Sequence, residues 1–133
     1  MEKFTNLEIV QQVYKNFAAG NMPGVLASFD KNIVWIRPGE PDIPFAGKFV
    51  GMDGLNKMFA LQMANIKIKS FVPEKFCVNE DTVVVLGNDT VEVIPTGKSY
   101  HTDWVQAFTL KDGLITGVIV YIDSNTIAKA FLP

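Results

Sequence analysis

Apolar residues return at intervals of three and four from Leu7 through Val10, Val13, Tyr14 and Phe17, until Gly20 ends the pattern. That period lines one face of a helix, and Thr5 with Glu8 stands at the spacing of a capping box, so residues 6–19 are expected to form an amphipathic helix. "GNMPGVLASF" offers Asn21 as an N-cap and Pro23 in a first turn, followed by Leu26 and Phe29, and predicts a second, shorter helix. "KNIVWIRP" reads as a strand that Pro38 stops. The segment "PGEPDIPFAG" has three prolines and two glycines in ten residues, a composition suited to an ordered loop over a pocket. In "GMDGLNKMFALQM", Leu55, Met58, Phe59 and Gln62 or Met63 mark the face of a third helix, with Asp53 as its expected cap.

After Asn65 the period falls from helical to alternating. "IKIKSFVPEKFCV", "TVVVLGNDTVEVI", "SYHTDWVQAFTL" and "LITGVIVYI" are rich in β-branched and aromatic residues and are separated by "NED", "PTGK" and "KDG". They predict four antiparallel strands. The second would run roughly 40 Å, too long to stay flat in so small a domain, so Gly87 is expected to mark a bulge or bend. "DSNTIAKAF" closes the chain as a short helix capped by Asp123 or Ser124. Helices followed by a strongly bent antiparallel sheet make an α+β fold in which the sheet curves around a helix and encloses an apolar pocket.

Composition narrows the classes. The 133 residues fit one domain spanning residues 1–133, and 48% hydrophobic content with 10 Phe, 3 Tyr and 2 Trp is that of a packed globular protein. Twelve basic against fourteen acidic residues give a net charge of -2 with no basic run to follow a phosphate backbone, which argues against nucleic acid as a partner. One Cys and one His cannot build the ligand clusters usual for zinc, so no metal is expected. The longest apolar run, "GVIVYI", is far short of the ~20 residues that span a bilayer, and "MEKFTNLEIV" lacks a signal-peptide pattern; a cytoplasmic location with no membrane contact is the expectation.

The order and spacing of "VYKNFAAGNMPGVLASFDKNIVW", "PFAGKFVGMDGLNKMF" and "KDGLITGVIVYIDSNTIAKAF" resemble the ketosteroid isomerase-like and polyketide cyclase-like (SnoaL-like) proteins of the NTF2-like superfamily. The resemblance covers essentially the whole chain. It implies a cone-shaped α+β fold with a deep hydrophobic cavity for a small apolar ligand. It also implies a homodimer formed through the outer sheet face. Members include isomerases, aldol cyclases, dehydratases and epoxide hydrolases as well as non-catalytic binding domains, so the fold alone does not set the function.

Candidate residues follow from strand parity and from the family's positions. On "SYHTDWVQAFTL", Tyr100, Thr102, Trp104, Gln106, Phe108 and Leu110 share one face, expected to be inward, which turns His101 and Asp103 outward. Where ketosteroid isomerases place a neutral carboxylic acid, the resemblance puts Gln106; an amide can donate to a developing oxyanion but cannot transfer a proton at neutral pH. The positions that carry an arginine and an aspartate in the epoxide hydrolases correspond to Trp104 and Val120, which argues against epoxide opening. The isomerases' general base corresponds to Arg37 or Ile36. Arg37 either turns inward with Trp35 or reaches the rim to pair with Glu40 or Asp42. The isomerases' tyrosine corresponds to Val13 or Tyr14. Asp123 is either the acid/base of a cyclase-like site or only the cap of the last helix. Trp35, Phe59, Met63, Phe108 and Tyr121 are expected to share the pocket wall with Trp104. The leading expectation is a cofactor-independent acid–base enzyme acting on a small, mostly apolar carbonyl compound, with Asp123 moving the proton and Gln106, Tyr14 and Arg37 polarising the carbonyl. The alternative is a non-catalytic ligand-binding or dimeric interaction domain.

Overall fold

The computed structural model describes residues 4–39 and 42–133. In chain order the elements are α1 (Asn6–Ala18), α2 (Met22–Ala27), β1 (Phe29–Arg37), β2 (Gly47–Val50), α3 (Gly51–Asn65), β3 (Ile66–Asn79), β4 (Thr82–Val93), β5 (Ser99–Lys111), β6 (Leu114–Ile122) and α4 (Ser124–Phe131). None of these helices is long and apolar enough to cross a membrane.

Local chemistry sets most boundaries. Glu8 N–H donates to Thr5 Oγ1 at 3.1 Å and Thr5 N–H donates to Glu8 Oε1 at 3.0 Å, which closes the expected capping box of α1. Asn21 caps α2 by accepting from Gly24 N–H at 3.1 Å, with Pro23 in the first turn. Asp53 does not cap α3. That helix starts earlier, at Gly51, whose φ of +74° makes the sharp turn out of β2 that a side chain would resist; Asp53 falls in the first turn, where its charge faces the positive end of the helix.

The six strands form one curved, unclosed sheet in the order β2-β1-β6-β5-β4-β3. All neighbours are antiparallel except β1 and β6, which run parallel with Trp35 opposite Val118. Strand-by-strand reading anticipated only antiparallel pairing because consecutive strands joined by short turns must be antiparallel; β1 and β6 lie far apart in sequence and are free of that constraint. The edge strand β2 was not anticipated at all. Its residues are mostly exposed, with Phe49 alone half-buried, so no alternation announces it.

Along the β3–β4 pair the register slips between Pro73 and Lys75, leaving Glu74 as the extra residue opposite Gly87 and Leu86. The bulge expected at Gly87 therefore lies across the ladder from it. Gly87 itself makes room for Trp104, whose indole carbons would lie 2.4 and 2.5 Å from any added Cβ.

Two apolar clusters result. The larger joins α1, α2 and α3 to the inner face of β1, β4, β5 and β6; the smaller joins α4 to the far end of β4 and β5. The proline-rich segment serves the smaller cluster. Ile43 and Phe45 are fully buried in it, and Phe45 meets Phe131 edge to face at 5.9 Å. Its described residues form no roof over the pocket.

Candidate functional site

A partly open pocket lies between α1, α3 and the inner face of the sheet. The space open to the centres of water molecules is about 70 Å³. Grown by a water radius of about 1.4 Å, a space of that size encloses at least roughly 260 Å³, the value for a sphere, which approaches the lower end of ligand pockets. Ile68 is the one lining residue that is exposed, and it marks the open side.

Strand alternation decides which side chains reach the pocket. On β5 the alternation is unbroken from Tyr100 to Leu110, so Trp104, Gln106 and Phe108 line the wall while His101 and Asp103 face out. His101 Nδ1 lies 2.8 Å from the hydroxyl of Thr90, its cross-strand partner on the outer face. On β1, Ile33, Trp35 and Arg37 share the inner face and Ile36 does not. Tyr14, Trp35, Arg37, Phe59, Trp104, Gln106 and Phe108 are all brought together at the pocket wall. Three expected residues are not. Met63 is 74% exposed, because α3 presents Gln62 to the pocket and the next residue is turned about 100° away. Tyr121 is 54% exposed, since Val120 and Ile122 hold the inward positions of β6. Asp123 is exposed at the start of α4. It accepts from Thr126 N–H at 3.2 Å and from the Thr126 hydroxyl at 2.7 Å, bonds that hold its carboxyl below the usual range. The cap, not the pocket, claims this residue.

The pocket's polar groups fall at two poles. At one, Tyr14 Oη donates to Gln106 Oε1 at 2.5 Å, and burial raises the phenol's pKa. At the other stand Arg37, Asp89 and Tyr100. Arg37 and Asp89 are each only 7% exposed, yet no nitrogen–oxygen distance between them falls within 4.0 Å, so they share a field without closing an ion pair. The guanidinium instead lies over the Phe45 ring at 4.6 Å. Thr102 donates to Asp89 Oδ1 at 2.8 Å and leaves the second carboxylate oxygen without a partner among the described residues. Burial raises the Asp89 carboxyl's pKa, against the opposing effects of the Thr102 bond, Arg37 and His101. The same burial lowers Arg37 and pushes the Tyr100 phenol up to about 12. Tyr100 Oη is close enough to Arg37 to be felt electrostatically but makes no well-aligned hydrogen bond.

Asp89 was the residue that sequence reasoning missed. The signal was present: Val83, Val85, Gly87, Asp89, Val91 and Val93 alternate strictly, which puts one carboxylate on an otherwise apolar inward face. Tyr100 fell on the expected inward face of β5 but received no role.

Aromatic walls connect the poles. Trp104 stacks on Phe71 with centroids 4.9 Å apart and planes at 19°, and on Tyr14 at 6.2 Å and 24°. The indole nitrogens of Trp35 and Trp104, like Tyr100 Oη, are buried without a hydrogen-bond partner among the described residues.

Helices folded over the inner face of a curved, unclosed sheet, with a pocket between them, define the NTF2-like class. The SnoaL-like domain matches residues 10–118, and the chain belongs to that family. An NTF2-like protein from Burkholderia xenovorans is 30% identical, with a TM-score of 0.87 over 96% of this chain and 95% of the other. TerC, co-crystallised with polyporic acid, is 23% identical with a TM-score of 0.82 over 95% and 97% of the two chains. A candidate SnoaL-like polyketide cyclase from Mesorhizobium loti is 21% identical with a TM-score of 0.75 over 89% and 99%. The last two speak to the fold alone. No curated protein matches the chain.

Proposed function

We propose that this protein is a cofactor-independent acid–base enzyme of the isomerase or cyclase type, acting on a small, mostly apolar carbonyl compound. One observation carries the reading: a buried carboxylate, Asp89, stands on the pocket wall with one oxygen held by Thr102 and the other available, beside a guanidinium and a phenol. A base in that setting would take a proton from the carbon next to a substrate carbonyl. Arg37 would stabilise the negative charge that develops on the carbonyl oxygen, and Asp89 would return the proton to a different carbon or to the carbonyl oxygen. Its raised pKa suits the task, because a base strengthened by burial accepts a carbon-bound proton more readily. Gln106 and Tyr14 would orient the substrate's other end.

The test is proton exchange into deuterated water at the α-carbons of small cyclic ketones such as 2-tetralone, followed by NMR. Asp89→Asn should lower the protein-dependent rate by about 10²- to 10⁴-fold, whereas Asp123→Asn should leave it unchanged. An Asp89→Asn protein that exchanges at the wild-type rate would remove the basis of the proposal.

A non-catalytic binding role is the second reading, favoured by the Tyr14–Gln106 bond. It joins two groups that do not ionise near neutral pH at the level where the isomerases carry an acid. Wild-type exchange no faster than buffer would favour it.

A homodimer through the outer sheet face is supported by two apolar rows that cross three strands there. They are Val84, Ala107 and Ile119, and Leu86, Val105 and Tyr121. Leu86, Ile119 and Tyr121 are exposed in the single chain.

A further inference from the structure

We infer that the pocket's ligand is an anion: a largely apolar carboxylate or acidic enol, with its charged oxygen at Arg37. This deepens the reading above by taking the same pocket as the site, but it concerns what binds rather than what reacts.

The donor count points to an anion. Arg37 Cζ lies 4.6 Å over the Phe45 ring, which has no oxygen to accept from the five N–H groups of the guanidinium. Among the described residues those groups have no carboxylate within 4.0 Å. Tyr100 and the indole N–H groups of Trp35 and Trp104 are also buried without partners. Those three atoms each expose less than 1 Å² and do not open onto the pocket, so the guanidinium is the donor that a ligand meets. At the other pole Tyr14 fills Gln106 Oε1, leaving the amide's NH₂ to face the pocket. Among the described residues of the pocket wall the only carboxylate is Asp89, with one oxygen already taken by Thr102; Glu40 lies outside the described residues. A neutral ketone leaves the guanidinium charge buried without a counter-charge; a carboxylate or ionised enol supplies one.

The aromatic wall of Trp104, Phe71 and Tyr14 suits an apolar body behind that charge.

The experiment compares 2-naphthoate with 2-naphthamide, which has the same rings but no charge, by titration calorimetry on the full chain. Two-dimensional NMR of the ¹⁵N-labelled protein runs alongside. The chain has 2 Trp, both on the pocket wall, so the indole region holds two signals and at least one should shift with 2-naphthoate. The carboxylate should bind at least about tenfold more tightly than the amide, and Arg37→Met should reduce that preference to about one. Equal affinities, tighter binding of the amide, or no binding of 2-naphthoate at about 1 mM would each overturn the inference without any variant having to fold. So would binding that leaves both indole signals in place. Ketone exchange without naphthoate binding would sink this inference alone; naphthoate binding without exchange would sink the enzymatic reading alone.

Discussion

A single methyl group at position 87 tests how the pocket floor is built. In Gly87→Ala the new Cβ would sit 2.4 Å from Trp104 Cζ2, 2.5 Å from Trp104 Cη2 and 2.5 Å from the Val72 carbonyl oxygen. Carbon contacts are comfortable at about 3.5–4.0 Å, so each overlap is about an ångström or more. Two things must yield. The indole has to leave its stack on Phe71, and β3 has to draw back beside its bulge. Overpacking of this kind costs about 1–3 kcal/mol, and a conflict with backbone as well as side chain belongs at the top of that range. At about 4 °C per kcal/mol for a chain of this size, the melting temperature should fall by about 12 °C. Trp104→Phe removes the two indole carbons but not the Val72 oxygen, so the cost of Gly87→Ala should drop to about half in that background. Urea unfolding of the four proteins, followed by circular dichroism, closes the cycle. Equal cost in both backgrounds would show that the glycine does not exist to seat the indole.

Burial of Asp89 makes stability depend on pH. With the folded value raised above 3.8, the folded state holds the proton more tightly than the unfolded chain, and that contribution is complete below 3.8 and lost as pH rises through the folded value. Asp89→Asn should therefore be the more stable protein at pH 7 and lose its advantage near 3.8, as read by urea midpoints; a variant that is weaker at pH 7 would contradict this. Asp123→Ala should cost about 1 kcal/mol in the same assay through loss of the α4 cap, while ketone exchange stays at the wild-type rate. Leu86→Lys combined with Tyr121→Lys should halve the mass measured by light scattering without lowering the melting temperature of the monomer's core, and an unchanged mass would rule out the outer face as the dimer contact.

The elements were legible where one physical rule dominates. α1 announced itself through apolar spacing and the Thr5–Glu8 box, and β5 through an alternation that turned Gln106 and Trp104 inward and His101 outward. β2 was not legible, because a four-residue edge strand with Phe49 alone half-buried shows no alternation and exists only by pairing with β1. The proline-rich segment misled for a related reason. Turn residues mark irregular backbone but do not say that Ile43 and Phe45 will be drawn into the core beneath α4. At the site, the wall was readable and the chemistry was not. Asp123 attracted the acid–base role through its position in the family pattern, while hydrogen bonds within two turns of its own helix settle it as a cap. Asp89 sits near the middle of a valine-rich strand, and its importance arises from Arg37 and Tyr100, which only the tertiary fold brings beside it. Parity could have exposed it; no local motif could.

The most direct measurement is the pH profile of protein-catalysed exchange at the α-carbons of 2-tetralone. With Asp89 as the base, the rate should rise with a single ionisation whose midpoint lies above 3.8 and then level off, and the rise should be absent in Asp89→Asn. Superimposable profiles for the wild type and Asp89→Asn would contradict the assignment of this carboxylate as the pocket's acid–base group.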